Sequence, residues 1–420
     1  MAERVLITGA RAVAALDLAR SLRAAGYESH LADCSPARVA RASCTAGPVH
    51  RYASPVDRPA AFARDVRELF ARLDPVRIIP ACEEVFHLAG LAGDDGLSGR
   101  LFAASPDRLA TLHAKDRFAD LCRRLALPVP ETSMAADRAA LAGFTDEAAD
   151  HVFKPVWSRF GARTLVAPST VDLAALVPSP DAPWVVQRRV LGEEVSFYAV
   201  CHEGRITAFC AYGSDWRLRG GASYVFRPLP ADQTARLRAM AEALADFAVT
   251  GQIACDAIID PAGQPWLIEC NPRATSGVHL FDRSAAFGRA LMGRGQAEPG
   301  TGPHHLSPAL WLHGLPTALR DRRLAAWRSQ RRQGSDVIGA PGDRRPVQGA
   351  LADAAAFGLR AFWRGIPLTE AMTIDDAIVP TRTPACTEPP GDAAPCMSAV
   401  ASTTVSTSVS ADSIVRIVPG

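Results

Sequence analysis

Over the first hundred residues short apolar runs alternate with amphipathic ones, and this alternation restricts the fold more than any other feature of the chain. The pattern predicts strands at 5–8, 28–33 and 76–80, with helices at 13–25, 59–73 and from residue 84 onward; Gly26 ends the first helix. Strands separated by helices run parallel, because a parallel connection needs the length that a helix supplies. The expected result is an open parallel sheet with helices on both faces. Ligands of such sheets sit beyond the carboxyl ends of the strands, which here supply Gly9-Ala10-Arg11, Asp33-Cys34-Ser35 and Cys82-Glu83-Glu84. Glu83 and Glu84 have two readings there: groups that grip a small polar substrate, or acids that complement the N-terminus of the next helix.

From residue 105 the pattern changes. A helical stretch at 105–126 carries Lys115 and is broken by Leu127-Pro128-Val129-Pro130. Strands follow near 152–156 and 184–190, then a hairpin of 194–201 with 205–212 turning at His202-Glu203-Gly204. A helix at 231–248 leads into a second hairpin, 253–260 with 265–271. This is an α+β body behind an α/β one. Residues 295–305 read as a Gly/Pro/His linker, and 306 to about 380 as one or two further helices, of which 318–333 is Arg-rich and suits a solvated or domain-facing surface. The Pro-rich and then Ser/Thr/Val-rich segment from 384 has the composition of a disordered tail.

Composition excludes several classes of function. A chain of 420 residues predicts two to four structural units, and 48% hydrophobic residues are enough to give each a core. The net charge of +2 offers no field to gather nucleic acid or an anionic membrane, so neither is expected as a partner. The ten cysteines form no C-x-x-C pair, several lie in apolar runs, and the N-terminus lacks a signal-cleavage pattern. No uninterrupted apolar run reaches the ~18 residues of a membrane span. A reducing cytoplasm is the expected location.

The second hairpin, Ile253 to Asn271, allows a geometric derivation. With Pro261-Ala262-Gly263-Gln264 as the turn, counting outward opposes Asp260 to Pro265, Ile258 to Leu267 and Asp256 to Glu269. Two acids then face each other, and like charges directly opposite destabilise a strand pair. The period of two puts Asn271 on the face of Glu269 and sends Trp266, Ile268 and Cys270 to the core. Asp256, Glu269 and Asn271 therefore form an all-oxygen cluster, either as the ligands of a hard cation, Mg²⁺ or Mn²⁺, or as acids of a solvated surface hairpin. Neutralising either acid should leave stability unchanged or raise it.

Among the 46 basic residues only Lys115 and Lys154 are lysines. Either arginine bias spared two positions by chance, or those positions need a compact point charge rather than a planar fork, as a phosphate oxygen does.

Four motifs in order join these features. They are Leu112-His113-Ala114-Lys115-Asp116-Arg117-Phe118 followed by Leu127-Pro128-Val129-Pro130; Val152-Phe153-Lys154-Pro155-Val156; Val186-Gln187-Arg188-Arg189-Val190-Leu191-Gly192-Glu193-Glu194; and Asp256 with Glu269-Cys270-Asn271-Pro272-Arg273. In them the chain resembles the ATP-grasp carboxylate–amine ligases, the superfamily of D-alanine–D-alanine ligase, biotin carboxylase and the carbamoyl-phosphate synthetase large subunit. The resemblance spans roughly 105–285. It implies an N-terminal parallel α/β domain (1–104), two ATP-grasp subdomains (105–182 and 183–294), a C-terminal helical extension (295–383) and the tail (384–420). By the same resemblance Lys115 and Lys154 reach the α- and β-phosphates of ATP, and Ser158 and Gly161 belong to the loop covering them. Gln187 and the Val190 backbone meet adenine, Glu194 takes the ribose hydroxyls, and Asp256, Glu269 and Asn271 hold the metal. Arg273 would stabilise the transferred phosphate, while Arg217 and Arg219 suit a substrate carboxylate or a structural salt bridge. The covering loop carries a single glycine, where the family has several, and Gln187 stands where an acid is common.

The implied reaction joins a small carboxylate, expected to be an amino acid or short peptide, to an amine at the expense of ATP, through an acyl phosphate. Phosphorylation of bicarbonate or carbamate is the related alternative. A homodimer is compatible with the resemblance. An NAD-dependent oxidoreductase would need G-x-G-x-x-G after the first strand, and Thr8-Gly9-Ala10-Arg11-Ala12-Val13-Ala14 has only its first glycine.

Overall fold

The three strands expected in the first hundred residues pair with a fourth, Val49–Arg51, into a parallel sheet. Its order is Val49–Arg51, Glu28–Asp33, Arg4–Thr8, Arg77–Pro80. The computed structural model describes residues 2–91, 96–158, 163–218 and 222–377; Gly161, Arg219, Gly220, Gly221 and the tail from 384 fall outside the described residues. Helix Pro59–Leu73 covers one face of the sheet. It starts on proline, buries Phe62, Val66, Leu69 and Leu73 at helical spacing, and ends at Asp74 in the left-handed region. Each such side chain, once buried, contributes about 1.5–3 kcal/mol.

Helix Val13–Ala24 covers the other face and is sandwiched against helix Ala285–Leu291. The two approach closely at Gly288, where a Cβ would lie 2.2 Å from the Ser21 carbonyl oxygen. Buried Asp17 on the same helix accepts hydrogen bonds from His279 at 2.8 Å, Arg283 at 2.9 Å and Arg20 at 3.0 Å. Burial alone would raise its pKa, but His279, Arg283 and Arg20 bring it down to about 2.

A seven-stranded sheet forms the body behind. Its order is Pro265–Asn271, Gly251–Ile259, Glu193–His202, Arg205–Gly213, Val225–Pro228, His304–His305, Ser335–Asp336. Alternate residues of strand Glu193–His202 serve different cores: Tyr198 and Val200 pack towards the parallel domain, while Phe197 and Ala199 pack on helix Ala231–Ala248 through Leu237 and Leu244. Gln252 links the two bodies, accepting from the Tyr198 hydroxyl at 2.7 Å and donating to the Pro80 carbonyl at 2.9 Å. A smaller antiparallel sheet, Thr132–Ala135, Trp184–Arg188, His151–Pro155, Leu165–Val166, has its own core around Phe153 and Trp184.

Three expectations need correction. The stretch 105–126 is two helices, Pro106–His113 and Lys115–Arg124, because Ala114 is extended at φ −68°, ψ 117°. The supposed linker ends in a buried strand, His304–His305, that pairs with Val225–Pro228. Beyond it lie more helices than anticipated: the Arg-rich stretch divides into Leu315–Arg320 and Leu324–Gln333, and Pro346–Arg364 and Leu368–Thr373 follow. Arg322, at φ 56°, lies in that break. No helix among the described residues is long and apolar enough to cross a membrane.

Candidate functional site

The hairpin Gly251–Ile259 with Pro265–Asn271 opposes Asp256 to Glu269, as counting from the turn predicts, but by a different route. Near the turn the pairs are Ile259 with Pro265, Ile258 with Trp266 and Ala257 with Leu267, one step from the derived register. A bulge between Ala257 and Asp256 inserts Ile268 and restores the opposition of the acids. The bulge also corrects the facing of side chains. Leu267 and Cys270 are the core residues, whereas Trp266 and Ile268 are half-buried and outside it.

The bulge serves the site directly, since the Ile268 carbonyl accepts a hydrogen bond from Lys154 Nζ at 3.1 Å. Lys154 projects from strand His151–Pro155, where it opposes Val185 of the adjoining strand, and is 4% exposed. Lys115 opens helix Lys115–Arg124 and is 3% exposed; Ala114 before it packs with Val156 and Val185. Its ammonium donates to the Ser158 carbonyl and hydroxyl, both at 3.1 Å, and lies 3.8 Å from Glu269 Oε2. A helix start and a strand thus place positive charge around one carboxylate.

Electrostatics separates the two acids. Burial raises both, yet Lys115 and Lys154 hold Glu269 below the ordinary carboxylate range. Asp256 is pushed up by burial and by the charge of Glu269, against the hydrogen bond that Ser196 Oγ donates to it at 2.6 Å. The lysines feel the same field. Burial lowers Lys115, and it takes Lys154 down to about 8 with Lys115 adding to the effect and Glu269 opposing it. Glu269 is therefore the counter-charge of both lysines in the free protein, which predicts that neutralising it lowers stability, unlike the expectation drawn from the hairpin alone. Only Asp256 carries the cross-strand penalty.

Asn271 and Arg273 extend the cluster. Arg273 donates from Nη2 to Asn271 Oδ1 at 3.5 Å and pairs with buried Glu83 at 2.7 Å, so Glu83 positions an arginine and does not cap its helix freely. Gln187 is buried on strand Trp184–Arg188 and donates to Thr132 Oγ1 at 2.9 Å. Val190 is half-buried in the segment after that strand, and Glu194 is exposed at the start of the next. Arg217 pairs with the Glu194 carboxylate and donates to its carbonyl at 2.9 Å, which joins a residue expected at the acceptor to one expected at the ribose. Gly161 and Arg219 lie outside the described residues.

Sequence reasoning missed two neighbours. Ser196 faces Asp256 across the pairing of Glu193–His202 with Gly251–Ile259, which no local pattern reveals. His113 is buried with its ring centroid 5.1 Å from Phe86 and 5.7 Å from Trp157; burial, with Lys115 and Arg273 adding to it, brings it down to about 3, so the ring is neutral. Its signal was its place two residues before Lys115. The donor set itself, carboxylates and an amide with a carboxylate short of positive charge at Asp256, fits a hard divalent cation.

No protein-family model matches the chain, and no curated relative does. Solved structures match over most of its length. N5-carboxyaminoimidazole ribonucleotide synthetase in its ADP complex aligns with a TM-score of 0.56 at 16% identity, over 72% of this chain and 80% of that one. Biotin carboxylase from Campylobacter jejuni gives 0.56 at 14% identity over 72% and 74%. The L-amino acid ligase from Bacillus licheniformis gives 0.55 at 12% identity over 72% and 79%. Such identities carry the fold and leave the activity open. The fold of this chain, a parallel α/β domain leading into two sheet-containing subdomains, is that of the ATP-grasp superfamily.

Proposed function

We propose that the chain is an ATP-dependent carbon–nitrogen ligase that activates a carboxylate, of an amino acid or small peptide, and joins it to an amine with release of ADP and phosphate. The observation that carries this reading is the convergence of two buried ammonium groups on Glu269, with Asp256 facing it across the hairpin. Phosphoryl transfer is catalysed by positioning and by charge placed on the phosphate oxygens, and this cluster supplies both. Lys115 and Lys154 would hold the α- and β-phosphates, Gln187 and Val190 the adenine, and Glu194 the ribose. Asp256, Glu269 and Asn271 would hold Mg²⁺ or Mn²⁺, which when bound neutralises phosphate charge.

An oxygen of the substrate carboxylate attacks the γ-phosphorus, the bond to the β,γ-bridging oxygen breaks, and ADP leaves. The amine nitrogen then attacks the acyl carbon, phosphate departs, and the nitrogen loses a proton as the amide forms. Arg273, fixed by Glu83, would face the charge that develops on the transferred phosphate. Arg217 and Arg219 are assigned to the acceptor side.

A screen of ATP consumption over pairs of carboxylates and amines, with mass spectrometry of the products, tests the proposal. ADP formation that requires both partners and yields an amide supports it. ATP consumption with bicarbonate alone would move the assignment to a carboxylating enzyme, and NADH oxidation without ATP would end it.

A further inference from the structure

Away from the hairpin the protein holds a second buried group of ligand-type side chains. Cys82 and Glu84, just beyond the carboxyl end of strand Arg77–Pro80, meet Asp376, which ends the short helix Ile374–Asp376. One ligand atom from each, a sulfur and two carboxylate oxygens, lies within 4.8 Å of the others; Glu84 and Asp376 are buried and Cys82 is half-buried. Glu84 is 1% exposed. Its Oε1 accepts from Thr8 Oγ1 at 2.7 Å and from the amides of Ala81 and Cys82 at 3.1 and 3.2 Å, while its Oε2 is buried with no hydrogen-bond partner. An orphaned buried carboxylate oxygen calls for a cation or a proton. Gly9, at φ 70°, keeps the space open, since a Cβ there would sit 2.9 Å from Glu84 Oε1 and 3.0 Å from Cys82 Sγ.

Charge accounting points the same way. Arg11 pairs with Asp33 at 2.7 Å and reaches Asp376 at 4.0 Å, and Arg360 holds Asp375 at 2.5 Å. Arg11 and Arg360 are thus shared among Asp33, Asp375 and Asp376. A divalent ion would bring further positive charge to this edge.

We propose that Cys82, Glu84 and Asp376 form a Zn²⁺ site that clips the C-terminal helical extension to the parallel sheet. The thiolate selects a borderline-soft ion over Mg²⁺ or Ca²⁺. Bonds of about 2.3 Å to sulfur and about 2.1 Å to oxygen put tetrahedral ligand atoms roughly 3.5 Å apart, so a group whose atoms lie within 4.8 Å of one another would close by up to about 1.3 Å on binding. On binding, the Cys82 thiol, which donates to the Gly9 carbonyl at 3.8 Å, releases its proton to solvent as the metal–sulfur bond forms. Asp376 turns towards the ion, and Arg11 keeps Asp33. Water completes the tetrahedron. The clip joins the edge of the parallel sheet to the last described helix and involves none of the residues assigned to ATP.

The test uses the full chain, stripped with a chelator and titrated with Co²⁺ and then Zn²⁺. One equivalent of Co²⁺ should give a near-ultraviolet sulfur-to-cobalt charge-transfer band, one equivalent of Zn²⁺ should displace it, and Zn²⁺ should raise the thermal midpoint. Cys82→Ser should abolish the band, Cys122→Ser should retain it, and Asp376→Asn should weaken Co²⁺ binding at least about tenfold. No band in the wild type, or a band that survives Cys82→Ser, overturns the proposal. Should Cys82→Ser fail to fold, Asp376→Asn decides, because wild-type Co²⁺ affinity there removes Asp376 from the site and the clip with it.

Discussion

The hairpin carboxylates are half-buried and those at the sheet edge are buried, and different cations face them. Around Asp256 and Glu269 the positive charge comes from Lys115 and Lys154, whose ammonium groups bond to the neutral oxygens of Ser158 and Ile268. An ammonium has three donors, so these can turn to a new anion without abandoning the fold. At the sheet edge Arg11 has its fork on Asp33, Cys34 and the Met372 carbonyl, and Arg360 is committed to Asp375 and the Ala371 carbonyl. Rigid guanidinium groups bonded to acids hold segments together, whereas ammonium groups bonded to neutral oxygens leave charge available to a ligand. In an arginine-rich chain, the two lysines thus differ from the sheet-edge arginines in what they are bonded to.

The sharpest way to break this comparison is to remove the hairpin carboxylates singly. Glu269→Gln and Asp256→Asn should each cut ATP turnover on the order of 10³-fold, since both would lose metal charge. Their stabilities without nucleotide should move in opposite directions. Glu269→Gln should lower the thermal midpoint because two buried ammonium groups lose their counter-charge, while Asp256→Asn should raise it by relieving the repulsion that pushes Asp256 up. Thermal melts of both variants check this, and a common direction would show that the acids are not distinguished by the lysines.

Lys154→Arg should cost on the order of 10²-fold in ATP turnover despite conserving charge, because the planar fork displaces phosphate by about 1 Å. Lys115→Arg should cost less, since Lys115 extends from a helix end and Lys154 from the middle of a paired strand. Steady-state kinetics of both variants measures the difference. Wild-type rates would return the lysines to chance.

A smaller effect is expected from pH. Lys154 in the free protein is lowered to about 8, with Lys115, Glu269 and Asp256 the charges facing it. Its ammonium is therefore present below pH 8 and lost as pH rises through it, so the KM for ATP should rise several-fold between pH 7.5 and 9. Bound phosphate favours the charged form, and nucleotide binding near pH 8.5 should take up protons, which calorimetry in buffers of different ionisation enthalpy would detect. A KM flat across that range would place the phosphates away from Lys154.

Much of this arrangement was legible in the chain because it rests on local pattern. Strand–helix alternation fixes the parallel domain, and counting from the expected turn opposes Asp256 to Glu269, a pairing that the actual register near the turn reaches only through the bulge. The bulge itself was not legible. Ile268 looks like any apolar strand residue, and only the approach of Lys154 shows why its carbonyl is turned out. Contacts distant in sequence were equally hidden: Ser196 on Asp256, Glu83 on Arg273 and Asp376 beside Glu84 depend on how sheets pack and where the C-terminal helices return. The strand His304–His305 escaped for a related reason, because two buried histidines among glycines and prolines carry no periodicity.

The central claim is that the lysines and the carboxylate hairpin together bind nucleotide with its metal. Calorimetric titration of ADP into the full chain, with and without Mg²⁺, tests it most directly. One site per chain that needs Mg²⁺ in the wild type, weakens at least about tenfold in Lys154→Arg and loses its Mg²⁺ dependence in Glu269→Gln is the expected result. Binding that ignores Mg²⁺ and both substitutions, or no binding at millimolar ADP, would contradict the account.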